Sequence, residues 1–312
     1  MLLAGKKIFL IVLLLSALKH SYGQQDAMYS QYMFNTLAIN PAYAGSRNVI
    51  SATALYRSQW VGIKGAPETQ TLSIDGSSAN KKVGLGLQLF NDQVGETSNT
   101  GVYGTYAYRL RFDKSTLAFG LQAGVSRFSG NYGNVDLDPA GAPDAAFAEN
   151  VTKLMPNVGA GVYFNSDRFY FGVSVPHLLN HSLNDDKAII SNGLIARQYL
   201  HLFISTGYVF DLGEDVKLKP SVLFKGVSGA PVQFDFNTNV WFYDTFSIGA
   251  QYRSGADVAA LAEVQVSPQF RLGYAYDYSV SSLRKFNSGS HEIMLRYEFG
   301  SNRSKMLSPR YF

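Results

Sequence analysis

Along most of this chain large apolar residues return at every second position, a period that suits a β-strand and not a helix. Val83, Leu85, Leu87 and Leu89 alternate with Gly84, Gly86 and Gln88. Leu117, Phe119, Leu121, Ala123 and Val125 alternate with Ala118, Gly120, Gln122, Gly124 and Ser126. The pattern is clearest where Val232, Phe234, Phe236, Val240 and Phe242 are set against Gln233, Asp235, Asn237 and Asn239. Each strand therefore has one apolar face and one small or polar face. A soluble sandwich would bury the apolar face; a membrane barrel would turn it to lipid. Periodicity alone fits both.

Connection lengths separate them. Strands are expected over 48–58, 68–76, 82–91, 99–112, 115–127, 156–165, 168–176, 197–211, 215–226, 231–243, 245–254, 256–266, 269–279 and 290–300. The even-numbered connections are all short: 76–82, 113–114, 166–167, 212–214, 244 and 267–268. Several odd-numbered ones are long: 59–67, 128–155, 177–196 and 280–289. Tight turns at one end and longer loops at the other mark an outer-membrane barrel, and its even strand count puts both termini on the periplasmic side. Many of the strands are also long enough for the roughly 9–11 residues that a tilted crossing needs. The expected fold is all-β, a transmembrane antiparallel β-barrel of about 14 strands of the outer-membrane type.

The N-terminus supplies an export signal. Lys6 and Lys7 precede an apolar run from Ile8 to Leu15, and Ser21-Tyr22-Gly23 puts small residues at −3 and −1 of a cut. Residues 1–23 read as a secretory signal peptide, with 24–312 left as one barrel domain. Within it, 24–46 is short, aromatic and non-alternating, and is expected to tuck into the barrel mouth; 301–312 is expected to be a periplasmic tail. Loss of Lys6, Lys7 and Lys19 takes the formal charge from +4 to +1, which leaves no basic field for nucleic acid. There is no cysteine, so neither a disulfide framework nor a thiolate metal site is possible. Charged residues are only 16% of the chain, below the roughly 25% of soluble domains. Aromatics gather near strand ends, at Tyr108, Phe112, Trp241, Phe242, Tyr243, Tyr276, Tyr278, Tyr297 and Phe299, as interfacial girdles would.

Signs of catalysis are weak. No phosphate loop, HExxH or GxSxG string occurs. His177 and His181 stand four apart in a loop, too irregular a setting for a helical metal pair. His201 and Ser205 share one face of a strand, as a barrel phospholipase would require on its outer surface, but so do many other pairs. The chain reads as a non-enzyme with no cofactor and no metal. Its candidate sites are of another kind. Arg57, Gln59, Trp60 and Pro67 of the first outer loop are candidate partner-binding residues, with Trp60 as an anchor. Arg109, Arg111, Gln233, Asp235, Asn237 and Asn239 are expected to face the lumen, the arginines opposite acids of neighbouring strands.

Specific strings go further. The mature chain opens with Gln31-Tyr32-Met33-Phe34-Asn35 and Asn40-Pro41-Ala42-Tyr43-Ala44-Gly45, followed by Tyr56-Arg57-Ser58-Gln59-Trp60 and Gly65-Ala66-Pro67. Later come Gly84-Leu85-Gly86, Asn91-Asp92, Gly104-Thr105-Tyr106-Ala107-Tyr108, Phe171-Gly172-Val173-Ser174 and Ser308-Pro309-Arg310. In these the chain resembles the PorP/SprF family of outer-membrane proteins that serve the type IX secretion system. The resemblance implies one of two roles. A SprF-like member works with one exported client, often an adhesin used in gliding motility, through the client's C-terminal domain. A PorP-like member meets periplasmic components of the secretion machine. A pore or fatty-acid-type solute channel is the alternative that the strand pattern alone leaves open.

Overall fold

A computed structural model describes residues 28–134, 150–181, 200–227 and 230–300. The expected signal peptide at 1–23, the expected tail at 301–312 and parts of the loops 128–155 and 177–196 lie outside the described residues. Fourteen antiparallel strands form one sheet. In chain order they are β1 (Ile50–Ser58), β2 (Glu68–Ser77), β3 (Val83–Val94), β4 (Thr97–Arg111), β5 (Ser115–Gly130), β6 (Val151–Ser166), β7 (Phe169–Val175), β8 (His201–Tyr208, resumed at Phe210–Asp211), β9 (Val216–Val227), β10 (Gln233–Phe242), β11 (Phe246–Arg253), β12 (Asp257–Gln265), β13 (Phe270–Ser279) and β14 (Ser290–Phe299). Each strand pairs with its sequence neighbours, and β1 pairs with β14 from Ile50↔Phe299 to Ser58↔His291, so the ring is closed. Closure matters because hydrocarbon offers no partner to a free backbone N–H or C=O.

The two faces are inverted relative to a soluble protein. Leu85, Leu87 and Leu89 of β3, Phe119 and Leu121 of β5, and Phe234 and Phe236 of β10 are exposed on the outer wall. The alternate positions are polar and buried: Thr69, Thr71, Ser73 and Asp75 on β2, Asp235, Asn237 and Asn239 on β10, Glu292 and Arg296 on β14. A sandwich would have the reverse arrangement. Among the described residues no helix is long and apolar enough to cross a membrane; the strands are the crossing elements. Outward aromatics at strand ends include Tyr108, Phe112, Tyr243, Tyr278, Tyr297 and Phe299. Trp241 departs from that set. It points inward, buried, with the Arg271 guanidinium 5.0 Å from its ring.

Two prolines account for local irregularities. β5 and β6 run past their expected ends, which shortens the loop between them to 131–150. Pro156 sits in this extension of β6, beyond the Ala160↔Val175 pair where β7 stops, so its missing N–H costs no ladder bond. Pro220 of β9 lies where the ladder to β8 is interrupted, between Ser221↔Gly207 and Leu218↔Phe210. The even-numbered connections, all short, lie at one end of the ring together with the start of β1 and the end of β14, and every long loop lies at the other. That end is periplasmic by the loop-length rule.

Substituting Leu121→Arg puts a charge at the middle of the lipid face, where it costs about 2–4 kcal/mol. The expected outcome is a fall in the heat-modifiable, folded band on cold SDS–PAGE of membranes. Gln122→Arg, one position on, enters the lumen instead and tests the assigned facing.

Candidate functional site: a lumen filled by the chain's own N-terminus

A ring of this strand number encloses more space than its own side chains fill. Here the space is taken by residues 28–48. Tyr32, Met33, Phe34, Leu37, Ala42, Tyr43 and Ala44 are all buried within the ring, and with inward residues of the wall, among them Tyr163, Tyr170, Leu223, Trp241 and Met294, they form the main apolar cluster. The segment thus lies deep in the lumen and not only at its mouth.

Local chemistry explains its path. Asn40 caps a short 3-10 turn, Pro41–Tyr43, by accepting from the Ala42 N–H at 2.9 Å, and Pro41 occupies the first position, where an N–H is not needed. The same Asn40 side chain donates to the Val162 carbonyl at 3.1 Å, which ties the turn to β6. Tyr43 packs edge-on against Tyr163 at 5.4 Å. Gly45 has φ +73° and donates its N–H to Asp75 at 2.8 Å. Inward-facing glycines supply the seat. A Cβ on Gly120 would lie 2.1 Å from the Ala42 nitrogen, and one on Gly84 would lie 1.9 Å from the Ala44 oxygen. A Cβ on Gly161 would meet the Asn40 side chain at 2.2 Å, and one on Gly273 that of Gln31 at 2.3 Å. The small inner rows of β3 and β5 are therefore where the plug backbone touches the wall.

At its outer end the segment is held by charge. Arg57 is ion-paired with Asp277 at 2.7 Å and donates to Glu292 at 3.0 Å, all three buried. Ser30 joins them: its hydroxyl donates to Asp277 at 2.7 Å and accepts from Arg57 at 3.0 Å. The two oxygens of Glu292 accept the backbone N–H groups of Ser30 and Gln31 at 2.9 and 2.7 Å. Beside this cluster Arg253 contacts Asp235 at 3.2 Å and Asp257 at 3.3 Å and donates to the Tyr29 carbonyl at 3.2 Å. Lys225 reaches Asp235 and Gln233, both at 3.0 Å. Lower down, Asn237 donates to the Tyr32 hydroxyl at 3.0 Å, Asn239 approaches the Met33 sulfur at 3.2 Å, and Arg296 donates to the Phe34 carbonyl. At the periplasmic end Arg47 pairs with Glu298 at 2.9 Å and Arg109 donates to Asn48 at 2.9 Å.

The sequence-derived candidates divide accordingly. Gln233, Asp235, Asn237 and Asn239 stand on the inner row of β10, and Arg109 on that of β4, where it donates to the side-chain amide oxygen of Asn48 in the plug and not to the expected acid of a neighbouring strand. Arg111 shares that parity but is exposed at the last residue of β4. Arg57 is corrected outright. It is not a loop residue but a buried member of β1, because its odd position turns it inward. Gln59, Trp60 and Pro67 do form the first outer loop. The Gln59 N–H donates to the Pro67 carbonyl at 2.9 Å, and Trp60, half-buried with φ +45°, donates its N–H to Ser290 at 3.2 Å. Val61 pairs with Ser288 and Gly289, which joins this loop to the one at 280–289. A cleft of about 300 Å³ opens beside it, lined in part by Gln59, Ile63, Glu68 and Gln93. His201 and Ser205 share the inner face and not the outer one, both buried, so the outer-surface phospholipase arrangement is absent. His181 contacts the Pro156 carbonyl at 2.7 Å and His177 packs on Tyr103. Among the described residues no group of three metal-ligating side chains occurs.

The family model for type IX secretion system membrane protein PorP/SprF matches residues 21–297. The chain belongs to the PorP/SprF family. Of the strings that carried the resemblance, Gln31–Asn35 and Asn40–Gly45 form the plug of this PorP/SprF protein, and Arg57 belongs to its clasp. No curated protein matches the sequence. Among solved structures it is similar to the outer membrane protein Omp33 of Acinetobacter baumannii, at 11% identity and TM-score 0.45, covering 81% of this chain and 99% of that one. It is also similar to a deletion mutant of the monoaromatic hydrocarbon channel TodX, at 8% identity and TM-score 0.46, covering 86% and 93%. The KdgM porin follows at 10% identity and TM-score 0.36, covering 80% and 99%. Likeness at this level extends to the barrel alone.

Two outcomes are expected at the plug. Arg57→Ala strands two buried carboxylates and should lower stability by about 3–5 kcal/mol, read as a lower urea midpoint in detergent. Arg57→Lys should recover only part of this, since an ammonium lacks the fork that serves both acids. Gly120→Val should make the N-terminal segment protease-sensitive in the purified protein. Gly104→Ala, whose Cβ would meet nothing closer than 3.9 Å, should leave it protected.

Proposed function

We propose that this protein is a sealed outer-membrane scaffold of the type IX secretion system, exported through its N-terminal signal peptide, that acts by binding other proteins and not by passing solutes or by catalysis. The observation that carries the reading is the occupied lumen. The plug is gripped through its main chain by Glu292, Arg253 and Arg296 and seated on inward glycines, so the interior serves to hold the chain's own N-terminus. Recognition then falls to surfaces outside the ring. On the outer side the joined loops 59–67 and 280–289 expose Lys64, Arg284, Lys285 and Phe286 and carry no acid, with Gln59, Trp60 and Pro67 at their base. On the periplasmic side the turns expose Phe112, Leu212 and Tyr243.

The client-dedicated form of this role, in which an exported protein is bound through its C-terminal domain for secretion or anchoring, uses the outer loops. The machine-component form, in which periplasmic secretion components are bound, uses the turns. Affinity capture from detergent-solubilised outer membranes, followed by mass spectrometry, tests them. Recovery of one large secreted protein, lost when its C-terminal domain is deleted, supports the first form. Recovery of periplasmic secretion components supports the second. In planar bilayers the purified protein is expected to be electrically silent. Steady ohmic conductance would overturn the scaffold reading in favour of a pore.

A further inference from the structure

We infer that the N-terminal segment runs outward through the barrel, so that Met28 stands at the outer mouth, at the opposite end of the ring from the start of β1 and the end of β14. The contacts of the plug give the direction. Arg47 and Asn48 meet Glu298 and Arg109, which stand at the periplasmic ends of β14 and β4. Gly45 meets Asp75 near the periplasmic end of β2, and Phe34 meets Arg296 in the inner half of β14. Tyr32 meets Asn237 at mid-strand in β10. Ser30 and Gln31 then meet Glu292 and Asp277, close to the outer ends of β14 and β13. Met28 lies 3.8 Å from the Lys225 ammonium, near the outer end of β9. Falling residue number tracks the outward direction at every step.

The clasp fixes the outer end of the segment. Glu292 and Arg253 hold main-chain groups of Tyr29, Ser30 and Gln31, so the segment is gripped at the outer mouth. This inference rests on the outward placing of the long loops, not on the scaffold role. It adds Met28 to the outer contact surface.

The sequence has no cysteine, so single introduced thiols report position without background. Three variants in producing cells suffice: Gln25→Cys ahead of the plug, Lys64→Cys in the first outer loop and Lys114→Cys in a periplasmic turn. The probe is a polyethylene-glycol maleimide too large to cross the outer membrane, applied to intact and to permeabilised cells, with the heat-modifiable band confirming assembly. Gln25→Cys is expected to match Lys64→Cys, labelled in intact cells, while Lys114→Cys is labelled only after permeabilisation. Met28→Cys serves as a second probe should Gln25→Cys fail to assemble, with the same expectation. An assembled N-terminal variant that stays unlabelled in intact cells, or that labels only with Lys114→Cys, would overturn the inference. Labelling of Lys64→Cys only after permeabilisation, with Lys114→Cys reactive in intact cells, would show the barrel orientation itself to be reversed.

Discussion

Charge buried in a closed ring has to find its partners inside that ring. The outer half of this lumen holds Arg57, Lys225 and Arg253 against Asp235, Asp257, Asp277 and Glu292. Acids outnumber bases in this group, and the excess is met by the main chain of the plug, whose successive N–H groups at Ser30 and Gln31 occupy both oxygens of Glu292. Arg253 and Arg296 in turn spend donors on plug carbonyls. Wall and plug complete each other electrostatically. A buried charge left without its partner is far costlier than a missing apolar contact, so the plug is part of the fold and not an accessory to it.

Much of this was legible in the sequence, for a clear reason. A strand with lipid on one side and a polar lumen on the other writes its facing into every second residue, and the parity of loop lengths adds the orientation. The boundaries of β1, β2, β7 and β13 accordingly fall within two residues of those read from the pattern. The plug was harder. A segment with no period has no face to read, and its burial follows from the ring that surrounds it. Arg57 directly precedes a loop, yet its parity with Ser51, Thr53 and Leu55 places it inside. The neglected signal was glycine. Gly84 on β3 and Gly120 on β5 stand on the inner row, against the plug backbone, where a water-filled lumen would tolerate larger polar side chains. An inner row that stays small indicates backbone passing close by.

The division of labour in the molecule follows from the same geometry. The outer wall is given over to lipid and the inner wall to the plug, so neither is free for a partner. What remains are the two rims. Their chemistry differs: the joined loops at 59–67 and 280–289 are basic and aromatic, whereas the periplasmic rim consists of tight turns carrying exposed Phe112, Leu212 and Tyr243, the last in a left-handed backbone conformation. A family of such barrels could keep the sealed interior and change only its rims.

The hydrogen bond from Ser30 to Glu292 joins residues 262 apart in sequence, almost the whole length of the barrel. Such a pairing has one of the largest loop-closure penalties the chain can incur, and it cannot form until β14 is in place. A segment near the start of the chain is therefore among the last to find its place. Tyr32, Met33 and Phe34 stay uncovered until the strands that enclose them have paired. Capture of the plug by β14 is thus tied to ring closure at β1 and β14. A barrel sealed too early would trap its own N-terminus outside, with no second opportunity to thread it.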